Sequence, residues 1–520
     1  MRGPGLTVVV CYALAALPAA AAPPSEAEMA ARIDALLAEA WAREGVEPAP
    51  PAGDAEFLRR AWLDLCGIVP PVNDPDGISG VRDFLAASDP GKRRILIERL
   101  VARPAHATHF ANVWRGVLLR PQAGVQQAAG VAAFQTWLRG QLADNVPYDK
   151  LIEDLILTRG TSGPGPALFF TSLAIKPDEL AASTSRAFLG VQIECAQCHD
   201  HPFDKWKQRD FWGLAAFFGR LQGVQQRPQA AASLREAEAG EVRLPGTDEI
   251  VPPKFLGGEV SPDELAATRR QRLVQWLTWP ENPFVARAAV NRVWAQLFGR
   301  GLVEPVDDMG AHNPPSHPEL LVELAAYFVR TGYDLNALVR TLATTRAYQL
   351  SSQSLEGDAD RPELFARMAI KSLTAEQLYD CLLEATRRRE VPLTAQQIPF
   401  RRIDQERSAF LARFQSPGQR LSEYQGGIPQ ALVLLNGATI RQATDLGQSD
   451  LLAALDAPFL TSERRVEALF LSTLSRPPDE AELARFTSHV QKASSDEDRR
   501  RALGDALWAI LNSAEFGMNH

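Results

Sequence analysis

The strongest constraint on the fold is a hydrophobic period. Apolar residues recur at the spacing of one helix face through most of the chain. That spacing predicts helices over Glu56–Cys66, Arg93–Val101, Ala132–Leu142, Tyr148–Leu157, Asp178–Leu189, Leu265–Leu277, Phe284–Phe298, Leu320–Arg330, Asn336–Thr344, Ala375–Leu383, Arg465–Leu474 and Asp498–Leu511. Start signals accompany several of them. Ser261 to Glu264 and Ser316 to Glu319 read S-x-x-E, and Thr374 to Gln377 reads T-x-x-Q. In these patterns the first side chain and the fourth each satisfy the other's free backbone N–H. One region reads as strand. Val242–Leu244 and Glu249–Val251 flank Pro245-Gly246-Thr247-Asp248, which gives a small hairpin. Residues 222–240 lack apolar periodicity and read as a loop or irregular helix. The expected architecture is mainly α: two helical domains, residues 25–221 and 261–520, joined by a linker, 222–260, that holds the hairpin.

Composition limits the function classes. The chain has 520 residues, 46% hydrophobic and 23% charged, which suffices for more than one buried core. Five cysteines cannot make a disulfide scaffold of a chain this long. A formal charge of −8 offers no basic excess for nucleic acid, so no nucleic-acid partner is expected. Residues 1–22 have the order of an export signal: Arg2, an apolar run from Leu6 to Leu17, then the small residues Pro18 to Ala22. Cleavage near Ala22 would remove Arg2 and Cys11. The charge would become −9, four cysteines would remain, and no stable membrane span would be left. An exported, periplasmic or cell-surface protein is expected, in an oxidising compartment.

The chemistry concentrates in Cys195-Ala196-Gln197-Cys198-His199, a C-x-x-C-H motif followed by Asp200-His201-Pro202-Phe203-Asp204. In an exported protein this is the attachment signature of haem c. Two thiols on one helical turn can each add to a haem vinyl group, and the adjacent histidine becomes the iron ligand. Cys195, Cys198 and His199 are therefore the candidate cofactor-binding residues. His201 stands beside them, able to bond a propionate or orient a neighbour. Three other readings use the same residues. Cys195, Cys198, His199 and His201 could hold zinc in a binding or hydrolytic protein. The cysteines could form a redox-active pair. They could also form a structural disulfide in a non-catalytic scaffold. A distal iron ligand could come from Met309, in a Gly-containing loop, or from the nearby His312 or His317; an open iron face is the other expectation. The expected partner of the haem protein is an unidentified redox protein.

The remaining polar inventory is thinner. Asp307, Asp308, His312, His317 and Glu319 lie around a Pro-rich turn, with a capping role or an acid/base or metal role open to them. Arg287, Asn291 and Arg292 share one helix and are expected to bind an anion or carboxylates such as Asp307 or Asp308. His106 and His109 open a further predicted helix, with an iron-ligand role or a place at the surface equally open to them. Cys381 reads as a buried small apolar residue. There is no G-x-S-x-G elbow and no phosphate-binding glycine loop.

The segment Cys195–Phe218, CAQCHDHPFDKWKQRDFWGLAAFF, resembles the signature of a secreted bacterial family typical of planctomycetes. Phe57–Leu65 (FLRRAWLDL) is similar to that family's opening helix. Asn282–Phe284, Arg287–Trp294, Gly301–Asp308, Asn313–Leu320, Arg346–Ser351 and Leu511–Phe516 are similar to its C-terminal part. Members pair a cytochrome-like domain of uncharacterised function with an uncharacterised companion domain. The resemblance implies that pairing here, and its cytochrome label rests on C-x-x-C-H alone. Cys66 stands where the family would have a small or hydroxyl residue.

Overall fold

The computed structural model describes residues 22–75, 77, 79–119, 128–159, 165–224, 233–257, 268–353, 361–387, 403–414, 435 and 437–520. The chain is mainly α. In order, the first half places α1 (Glu26–Glu44), α2 (Asp54–Leu65), α3 (Val81–Ala86), α4 (Lys92–Val101), α5 (Pro104–Leu118), α6 (Ala128–Ala143), α7 (Tyr148–Ile156), α8 (Leu168–Thr171), α9 (Pro177–Thr184) and α10 (Gln208–Ala215). The second half begins with α11 (Arg269–Leu277), α12 (Val285–Phe298), α13 (Pro318–Arg330), α14 (Leu335–Thr344), α15 (Ala375–Thr386) and α16 (Ile403–Phe414). Helices Ala438–Ala443, Asp450–Leu455, Ser462–Leu474, Glu480–Gln491 and Asp496–Leu511 complete it. Among the described residues, no helix is long and apolar enough to cross a membrane.

Each predicted helix forms, usually within a residue or two of its expected ends. The longest, α1, is additional to them. Its buried stripe Met29, Ile33, Leu36, Leu37, Ala40 and Trp41 has helical spacing. Ser25 and Glu28 close a capping box at its start, and Gly45 ends it at φ +65°. Thr374 and Gln377 form their expected box. The Ser316 box does not form. Pro318 is the first residue of α13, His317 takes the cap position, and the Ser316 hydroxyl donates to Leu302 O instead. The Ser261 signal, the export segment 1–21 and most of 387–426 lie outside the described residues.

The hairpin of the linker is present: β3 (Val242–Arg243) pairs antiparallel with β4 (Ile250–Val251). Two further ribbons appear. β1 (Leu221–Val224) pairs with β2 (Ser233–Glu236), inside the segment read as a loop or irregular helix. β5 (Lys371–Ser372) pairs with β6 (Met518–Asn519). Both are too short for an alternating pattern, and a distant backbone helps define the first: Leu234 N–H donates to Arg159 O at 2.9 Å.

The cores divide the chain elsewhere than at the linker. One core runs from Met29 to Met368, with Leu471 added to it, and interleaves helices from both sides of the hairpin. Thus α11 packs on α7, α14 on α1 and α4, and α12 on the turn that follows α9. The second core starts at Leu378 and ends at Phe516, with Leu63 and Val69 of the first half inserted into it. The break between the two apolar cores falls near residue 370. A composition change marks an exposed connection, but the shared burial of apolar faces decides which helices form one core.

Helix α2 joins the two cores through buried polar side chains. Asp64 accepts hydrogen bonds from Lys371 Nζ (2.5 Å), Asn519 Nδ2 (2.6 Å) and Tyr348 OH (2.9 Å). Lys371 also donates to Leu297 O at 2.6 Å. Arg59 donates to Thr473 O and Phe516 O; Arg60 donates to Tyr348 O, Leu350 O and Glu56. Removing one partner leaves a charge in the core. Lys371→Met should cost about 3–5 kcal/mol in denaturant unfolding, and Asp64→Asn combined with it should cost less than the two single changes summed.

His106 and His109 are buried, not at the surface. His106 Nδ1 lies 2.8 Å from Leu65 O, and a Cβ on Gly67 would come within 2.5 Å of His109 Nδ1. Burial lowers His106 to about 4 and His109 to about 3. The unfolded chain protonates near 6.5 while the fold keeps both rings neutral. Their contribution is complete above pH 6.5 and is lost as pH falls through that window toward 4. His109→Gln should flatten the fall in unfolding free energy between pH 6.5 and 4 by up to ~1.4 kcal/mol per pH unit relative to the unaltered chain.

Candidate functional site

The motif is delivered by a helix that changes its winding. After α9, residues Ser185–Leu189 make a π-turn, and Gly190 turns the chain at φ +66°. The π-turn directs the Arg186 side chain toward the motif, where it pairs with Glu194 at 2.5 Å. A 3₁₀ turn, Glu194–Gln197, then carries Cys195, and Cys198 follows at its end. Ala196 is the buried residue of the turn, whereas Cys195, Cys198 and His199 are exposed. Cys195 and Cys198 are free thiols.

Helix α10 pins this turn from beneath. Trp212 Nε1 donates to Gln197 O at 3.0 Å. Gln208 Nε2 donates to Gln197 O (3.2 Å) and Cys198 O (3.1 Å), and Gln208 N donates to Asp200 Oδ1 (3.0 Å). Gln197 in turn donates to Asp178 on α9. The segment between motif and helix folds back so that His201 N donates to Trp206 O at 2.8 Å. Its tip exposes Phe203 to 78%. Trp206 is buried, and Trp212 is partly buried against the core.

The two motif histidines differ. His199 Nδ1 lies 2.8 Å from the carbonyl of Asp200, which can only accept, so Nδ1 carries the proton. Nε2 then holds the lone pair, with no hydrogen-bond partner among the described residues. His201 has the opposite arrangement: its Nδ1 accepts from Phe203 N at 3.3 Å, which puts the proton of the neutral ring on Nε2. Among the described residues no three His, Cys, Asp or Glu side chains converge as a metal-binding group.

The second half of the chain supplies a wall. The loop 306–313, after α12, lies against the motif segment. Met309 N–H donates to Gly190 O at 2.8 Å, and Met309 Sδ would touch a Cβ placed on Gly190. Asp307 accepts from Gln192 Nε2 at 3.0 Å and pairs with Arg186. His312 Nε2 lies 3.2 Å from Asp308 Oδ1 and its Nδ1 lies 3.7 Å from Asp204 Oδ2. The rings of His312 and His201 stand 6.4 Å apart. Met309 and His312 thus stand against the segments that flank the motif, Met309 at Gly190 and His312 at Asp204. His317 does not: it is buried against Phe365, its Nδ1 is 3.1 Å from Ser316 Oγ, and burial lowers it to about 4.

The arginine helix does different work from that expected. Asn291 is fully buried and bonds both backbone groups of Val303 or its neighbours: Nδ2 donates to Val303 O, and Oδ1 accepts from Val303 N. Arg292 donates to the carbonyl of Arg186. Arg186 forms the ion pair with Asp307, and the Asp307 charge also acts on the buried Arg292 guanidinium. Sequence reading missed Arg186 and Gln192, whose partner Asp307 lies far along the chain, and Gln208, whose bonds go to the motif backbone across the intervening turn.

The fold and site define a mainly helical protein with two cores and an exposed C-x-x-C-H turn clasped by a loop from its second half. Residues 32–223 match the family described as Protein of unknown function (DUF1549), and residues 269–422 match Protein of unknown function (DUF1553). The chain carries the pairing of these two families, in that order. No curated protein and no solved structure matches it.

Thiol accessibility follows from this geometry. Burial pushes Cys66 and Cys381 up to about 12, whereas Cys195 and Cys198 stand at the surface. In reduced protein made without haem attachment, a maleimide should label Cys195 and Cys198 in the native state and add Cys66 and Cys381 only in denaturant. Peptide mass mapping reads the sites.

Proposed function

We propose that the chain is an exported c-type cytochrome-like protein that carries haem at Cys195 and Cys198 and serves in electron transfer or another redox role. The observation that carries this reading is the motif's geometry. Both thiols are exposed on one pinned turn, and His199 presents an unprotonated Nε2 because Nδ1 is committed to Asp200 O. These are the atoms that haem attachment needs, two thiols and an imidazole lone pair, so the residues present fit the group. Bound haem supplies one-electron chemistry. The chain's own residues fix the turn (Trp212, Gln208), hold the His199 tautomer (Asp200) and set local charge (Glu194, Asp200, Arg186). Export rests on the signal-like order of residues 1–22, and a redox protein is the partner class that follows.

Each thiol adds across a vinyl group, sulfur to one carbon and hydrogen to the other, so the whole mass of haem is retained. Protein exported from a host with a working attachment system should show a Soret band and about 0.6 kDa of added mass. Both should vanish in Cys195→Ala/Cys198→Ala. A colourless product of unmodified mass overturns the reading. Metal analysis, and a two-hydrogen mass shift on reduction, would then separate zinc from a disulfide.

A further inference from the structure

We propose that loop 306–313 is the second wall of the motif site and that His312 is the positioning residue that clasps it there. The proposal deepens the haem reading and rests on it for the meaning of the site. The clasp itself can be tested on the haem-free chain.

Three observations carry it. First, the contacts converge on the motif segment and come from one loop. Met309 meets Gly190, Asp307 meets Gln192 and Arg186, and His312 meets Asp204. The loop has its own internal frame as well: Asn313 Nδ2 donates to Asp308 O at 3.0 Å, and Asn291 Nδ2 reaches Val306 O. It therefore docks as a unit. Second, His312 is the member that joins a carboxylate of its own loop, Asp308, to a carboxylate of the motif segment, Asp204. The Asp204 carboxylate is almost wholly buried at this junction, and its Oδ1 also accepts from Lys205 N at 2.7 Å. Third, the approach requires glycine. A Cβ on Gly310 would fall on Asp204 Oδ2 and within 2.6 Å of the His312 ring. A Cβ on Gly190 would press within 3.3 Å of Met309 Sδ.

The consequence is a division of labour. The first half of the chain holds Cys195, Cys198 and His199, while the second half determines what stands beside them. Through His312 and Asp204, the loop sets where the Met309 thioether and the loop carboxylates lie relative to the motif.

The test uses the full chain with Cys195→Ala/Cys198→Ala and reads amide hydrogen exchange at Met309, the donor to Gly190 O. His312→Ala should speed that exchange about tenfold by opening the dock, while exchange in α2 stays unchanged. Gly310→Ala should do the same, because it separates Asp204 from His312 without deleting either. His312→Gln, whose amide can still bond a carboxylate, should restore part of the protection. In haem-bearing protein, His312→Ala should leave the added mass intact and shift the visible spectrum. Unchanged Met309 exchange in both His312→Ala and Gly310→Ala overturns the clasp whatever the haem content. So does an identical spectrum in His312→Ala protein that carries haem. Absence of haem mass defeats the haem reading instead, and the exchange arm still decides the clasp.

Discussion

The structure depends on one buried carboxylate. Asp64 of α2 lies in the core with Lys371, Tyr348 and Asn519 bonded to it. Such a group is tolerable only while its partners are in place, because an unpaired charge in the interior costs several kcal/mol. Each partner comes from a different part of the chain. Tyr348 follows α14, Lys371 lies in β5 and Asn519 in β6. The network therefore fixes the mutual placement of segments that the sequence keeps some 280 to 460 positions apart. Arg59 and Arg60, on the same helix, bind backbone carbonyls of both cores and extend this joint.

That joint explains why the chain does not divide at its most obvious linker. Helices α11 to α14 bury their apolar faces against α1, α4, α7 and the end of α9, and so complete the first core. The second core then begins at α15 and rests on Leu63 and Val69. The C-x-x-C-H turn lies on the first core, where elements from both sides of the hairpin meet. A loop after α12 can reach the motif because α12 itself packs on the π-turn that precedes it.

The motif segment is held by many weak constraints rather than by its own burial. Apart from Ala196, the motif residues lie open or half-open, and its backbone is positioned by Trp212, Gln208 and Asp178. Pinning from below leaves the reactive side chains free above. The two thiols and the imidazole are thus presented at a fixed surface turn. The tautomer of His199 is set by a neighbouring carbonyl, so the lone pair is available before anything binds.

The period of apolar residues determined the helical class and the position of most helices, since burial of one face repeats every three to four residues. The T-x-x-Q box, the β3–β4 hairpin turn and the burial of Cys381 were equally legible, because each depends on residues close in sequence or on one helix face. The motif singles out Cys195, Cys198 and His199 as candidates because they are neighbours in sequence. Tertiary structure alone decided the rest. It buried His106 and His109, packed His317 against Phe365, and set Met309 beside Gly190 and His312 beside Asp204. It also gave Asp307 an ion pair with Arg186 and carried the first apolar core across the linker to Met368. These outcomes turn on contacts between positions far apart, and no pattern within a short window of sequence encodes which distant face a side chain will meet.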